Sequence, residues 1–106
     1  MKLCDQIYLV GSGNQGIGIS DDYDCHVYLI DGGDELALVD AGGGLDVGPI
    51  LENIRHDGLD PSRVRHLLLT HAHFDHAGGA AQLRSALGDP RIYMHADCAR
   101  YLREGD

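Results

Sequence analysis

The chain is 106 residues long with a formal net charge of −9, from 17 Asp and Glu against eight Lys and Arg. That length suits one small domain and is too short for two. So few cations argue against a nucleic-acid surface, whose affinity rests mainly on Lys and Arg neutralising phosphates, and no apolar run is long enough to span a membrane.

The opening Met1-Lys2-Leu3-Cys4-Asp5 has one basic residue and no apolar stretch, so it does not read as a secretory signal. Gln6 to Val10 is a short strand candidate, and the Gly-, Ser- and Asp-rich residues 11 to 24 read as a loop. His26 to Asp31 and Glu35 to Asp40 are two further strands around Gly32-Gly33-Asp34, a hairpin signal. After Ala41-Gly42-Gly43-Gly44 comes a helix with Pro49 in its first turn and Ile50, Leu51 and Ile54 on one face, closed by Gly58. Asp60-Pro61 looks like a cap followed by a short helical turn. Val64 to Thr70 contains Leu67-Leu68-Leu69, a continuous apolar run of the kind found in a strand buried on both faces. A helix from about His76 to Leu87, a strand from Arg91 to His95 and a charged helix from Asp97 to Glu104 complete the chain.

The order β-β-β followed by α-β-α-β-α implies a sheet with helical crossovers. These helices can cover one face of such a sheet, and nothing in the 106 residues is left to cover the other. Cys4, Cys25 and Cys98 fit no zinc or redox spacing, so they read as reduced structural thiols of a cytoplasmic protein.

Residues 70 to 79 read Thr-His-Ala-His-Phe-Asp-His-Ala-Gly-Gly. In extended backbone, side chains two apart point the same way, so His71 and His73 can grip one ion together. Asp75 and His76 fall where the chain turns into a helix, which aims them at a second point beside the first. Imidazole and carboxylate suit zinc, with iron or manganese also acceptable. A bound ion lowers the pKa of its water, so no Ser or Cys nucleophile is needed. His26, His56 and His66 read as surface or structural residues, and His95 ends a strand without joining the set.

The His71 to His76 segment matches the H-x-H-x-D-H signature of the metallo-β-lactamase superfamily, and Leu38-Val39-Asp40-Ala41-Gly42 resembles the Asp-bearing strand that precedes it there. The likeness runs from about Val27 to Leu102. It implies an α+β fold, half of an αββα sandwich with helices on one face of the sheet, and thus a partial domain over residues 1 to 106. It implies His71 and His73 on a first zinc and Asp75 and His76 on a second. Asp75 is taken also as the catalytic residue, and Asp40 supports the ligand loop by hydrogen bonding. The function expected is metal-dependent hydrolysis of a thioester, lactone or related small ester. The superfamily's later ligands, a third His, a bridging Asp and a final His, have no counterpart here. A fragment of a longer protein, association with a missing C-terminal half, or a homodimer would each explain that. The competing expectation is a catalytically incomplete half-domain serving as a metal-binding or assembly module.

Overall fold

Alternating apolar residues build a six-stranded mixed sheet in which spatial order follows chain order. The strands are β1 (Lys2–Cys4), β2 (Ile7–Gly11), β3 (Val27–Asp31), β4 (Leu36–Val39), β5 (Val64–Leu69) and β6 (Arg91–Met94). The first four run antiparallel, and β5 and β6 run parallel to β4. Parallel neighbours require crossovers. The first is α1 (Gly48–His56); the second holds α2 (Phe74–Ala77) and α3 (Ala80–Ala86). The computed structural model describes residues 1–97, 99 and 100.

One core holds the molecule together. Leu29, Leu38 and Leu67 stand in register across β3, β4 and β5, and all three are fully buried. Ile50 and Ile54 of α1 and Leu83 of α3 close over them from one side. The opposite face of the sheet carries Ile7, Ile30, Leu68 and Tyr93, each 38–40% exposed. Tyr28, Ala37 and Val39 line the same face, half-buried. The expected shape, an apolar sheet covered by helices on one side, is therefore observed.

Several local expectations shift. β1 was not legible in the sequence: its Lys2–Cys4 segment is exposed and gains its place only by pairing with β2. The helix expected from His76 to Leu87 is two helices broken at Gly78-Gly79. There the backbone turns against the loop after β4: a Cβ on Gly79 would lie 2.1 Å from the Ala41 carbonyl oxygen. The Leu67-Leu68-Leu69 run is buried on one face only, with Leu68 on the open side. Asp60 does cap the 3₁₀ turn Pro61–Arg63, its Oδ1 accepting from the Ser62 N–H at 2.9 Å. The last helix begins at Ala96, and its expected continuation past residue 100 lies outside the described residues, as does Cys98.

Candidate metal centre

The site sits where parallel strands β4 and β5 end side by side, the edge at which open α/β sheets gather functional loops. Register places Asp40 beside Thr70: Val39 pairs with Leu68, and the Asp40 N–H donates to the Leu68 carbonyl at 2.7 Å. Asp40 has φ +70°, a left-handed conformation that Asp adopts more readily than most residues but still unusual outside glycine. It is buried, with a side-chain exposure of 6%.

Its carboxylate takes three donors. Oδ1 accepts from the Thr70 N–H at 2.8 Å; Oδ2 accepts from the Thr70 hydroxyl at 2.6 Å and lies 2.9 Å from His76 Nδ1. A carboxylate only accepts, so His76 carries a proton on Nδ1, which in the neutral ring leaves Nε2 to bind a cation. The Thr70 hydroxyl has one proton, already given to Asp40. It therefore accepts from His71 Nδ1, 2.8 Å away, which leaves His71 Nε2 free as well. One buried carboxylate thus sets the tautomer of two imidazoles, directly for His76 and through Thr70 for His71.

The expected ligand residues converge in part. The rings of His71 and His76 lie 4.4 Å apart and those of His71 and His73 5.9 Å, while Asp75 Oδ2 is 3.7 Å from His76 Nε2. His73 stands just before α2 in extended backbone, and Asp75 lies within its first turn. His95 stands apart from this group, its Nδ1 accepting from the Asp97 N–H. His66 lies on the open sheet face, bonded to Tyr93 at 2.9 Å. His56 is exposed at the end of α1.

A cleft of about 880 Å³ opens beside the cluster, bounded by the 12–26 loop, Asp40 and residues 73–76. His26 lines it, although the sequence assigned that residue no site role. Cys25 lines it too, and its N–H donates to the Asp75 carbonyl at 3.1 Å. Burial, then the negative charge of Asp40, pushes the Cys25 thiol up to about 12, with Asp75 and Asp24 adding to the effect. Asp24 is buried in the same wall: Oδ1 accepts from the Gly43 N–H at 2.8 Å, while Oδ2 is buried without a partner. The sequence reads residues 11 to 24 as a loop and Cys25 as a structural thiol that fits no zinc spacing, so neither Asp24 nor Cys25 carried a site signal. Imidazoles and carboxylates form a donor set that fits a divalent cation, and the orphaned Asp24 oxygen favours positive charge nearby.

The description "metallo-beta-lactamase superfamily" belongs to the family model that matches residues 20–106. The chain is a member of that superfamily. Among its relatives, a protein of Anaeromyxobacter dehalogenans (strain 2CP-C) named hydroxyacylglutathione hydrolase is 37% identical over 83 residues, 78% of this chain and 30% of that protein. One of the same name from Bdellovibrio bacteriovorus is 34% identical over 96 residues, 85% of this chain and 36% of the relative. Among solved structures, a subclass B3 metallo-β-lactamase of Bradyrhizobium japonicum matches with TM-score 0.69 at 32% identity, over 87% of this chain and 31% of that one. A B3 enzyme described as having an active-site glutamic acid matches with TM-score 0.79 at 32% identity, over 96% of this chain and 34% of that one. The chain therefore spans about a third of the length of these proteins. Among the described residues, no helix is long and apolar enough to cross a membrane.

Proposed function

We propose that these residues form the metal-binding part of a hydrolase acting on a thioester, lactone or related small ester. One observation carries the reading: Asp40 frees the Nε2 atoms of His71 and His76 together, at the end of β5 and beside a cleft. His71 and His73 would hold one zinc ion, and Asp75 and His76 a second; Asp75 is also proposed as the catalytic carboxylate. When bound, such ions supply Lewis-acid polarisation of the substrate and a lowered pKa for coordinated water. Asp40 and Thr70 contribute orientation: they hold two imidazoles with their acceptor nitrogens exposed before any ion arrives. The remaining ligands would come from further polypeptide, in the same chain or a partner. The thioester class is favoured by the relatives named hydroxyacylglutathione hydrolase.

The test is turnover of thioester and lactone panels with added zinc by the product of the complete natural reading frame. Hydrolysis that disappears with His73→Ala is expected. Zinc bound at full occupancy with no turnover on either panel would overturn the hydrolase reading. A second reading is favoured by the exposed apolar sheet face: the 106 residues alone act as a metal-binding or assembly module that pairs through that face, as a homodimer or with a C-terminal half.

A further inference from the structure

Cys25 stands outside the His-x-His-x-Asp-His motif, yet it is placed against it. The ligand-capable atoms of Cys25, Asp40 and His76 all lie within 4.8 Å of one another. Asp40 already accepts from Thr70 twice and from His76, so within this trio it acts as a buttress. That leaves Nε2 of His76 and the sulfur of Cys25, whose thiol donates to the His26 carbonyl at 3.3 Å, as the donors available to an ion. Asp75 is tied to both: its carbonyl accepts the Cys25 N–H at 3.1 Å, and its Oδ2 lies 3.7 Å from His76 Nε2.

A second observation points to a cation here. Asp24, the neighbour of Cys25, is 6% exposed and lines the same cleft, with Oδ2 buried and unpartnered. A carboxylate oxygen buried without a donor is costly, and positive charge in the adjoining cleft offsets that cost. Ligands of one tetrahedral ion stand closer together than 4.8 Å, because each bond is about 2.0–2.3 Å. The Cys25 sulfur and the His76 ring would need to approach by about an ångström, within reach of a Cys χ1 adjustment.

We propose that Cys25 is a thiolate ligand to the cation held beside His76, giving the site a soft arm that selects thiophilic divalent ions over manganese and magnesium. This rests on reading the His71–His76 cluster as a metal centre. Coordination forms a sulfur–metal bond and releases the thiol proton to solvent, with no oxidant or reductant involved. Thiolate with imidazole favours zinc, cobalt or cadmium, whereas oxygen-rich sets suit manganese and magnesium.

The experiment is a cobalt(II) titration of the complete reading-frame product, followed by absorption. Visible d–d bands report that the centre binds metal at all; a near-ultraviolet sulfur-to-cobalt charge-transfer band reports Cys25. Both are expected, and Cys25→Ser should abolish the second while keeping the first. Visible bands without a charge-transfer band, or one that survives Cys25→Ser, overturn the proposal and leave the metal centre standing. Absence of every cobalt band would overturn both. Should Cys25→Ser fail to fold, the unaltered protein still decides. Bound cadmium should block alkylation of Cys25 as read by peptide mass, and equal labelling with and without cadmium refutes the assignment.

Discussion

The two faces of the sheet are built from the same residue types and have opposite fates. On one, Leu29, Leu38 and Leu67 are sealed beneath α1 and α3. On the other, Ile30 and Leu68 remain more than a third exposed, with Tyr93 beside Leu68. Alternation along a strand gives both faces apolar side chains; only crossover helices decide which becomes interior. Large apolar surfaces are seldom left open, so under the proposed reading this is the face that further polypeptide or a second copy would cover.

The sharpest way to break the comparison is to truncate one leucine on each face. Leu38→Ala should destabilise the chain by about 2–5 kcal/mol, as large core truncations do, read from urea unfolding. Leu68→Ala should cost the 106-residue chain less, about 1–2 kcal/mol, since more than a third of Leu68 is still in water. In the complete reading-frame product the gap should narrow as the open face becomes covered. Equal costs in the short chain would mean that the open face is already engaged.

Next in size is Gly79→Ala. Its new Cβ would meet the Ala41 carbonyl oxygen at 2.1 Å, and the backbone shift should cost about 1–3 kcal/mol, again by urea unfolding. Because Gly79 also donates to the Gly42 carbonyl, the change should disturb the ligand loop, which zinc affinity would report. Asp40→Asn keeps the size of the side chain but replaces one acceptor oxygen with a donor. Zinc affinity should fall about 10- to 100-fold, measured by chelator competition, with smaller loss of fold. Unchanged affinity would remove Asp40 from the orienting role.

The smallest effect is kinetic. With its pKa raised to about 12 by burial and nearby carboxylates, Cys25 in the metal-free protein holds less thiolate than an ordinary cysteine. At about pH 8.5, near the free-thiol pKa, its alkylation should lag behind that of exposed Cys4, and the lag should shrink as pH rises. The raised value also means that folding favours the neutral thiol. Its contribution is fully present below the unfolded-state pKa near 9 and is lost as pH climbs toward 12, so metal-free stability should decline in that window. Cys25→Ala should flatten that decline.

Much of this was legible in one dimension, for a physical reason. Strands β2 to β6 and α1 announce themselves through periodicity and turn residues, because local backbone preference and burial agree there. The proximity of His71, His73, Asp75 and His76 was legible because they are near neighbours in the chain, so strand-to-loop geometry alone brings them close. β1 was not, since it is short, exposed and held only by pairing. The break at Gly78-Gly79 was not, since it answers a backbone contact more than 30 residues away.

What the sequence determined by itself is the sheet, its apolar faces and a histidine-rich loop at the end of a strand. Tertiary structure decided which face is core, placed Asp40 beneath Thr70 and His76 across 30 and 36 residues of chain, and set Cys25 and Asp24 against the cleft. Periodicity reports only what each segment prefers locally. Register between β4 and β5 fixes the rest, because a carboxylate can orient an imidazole only once the two strand ends lie side by side.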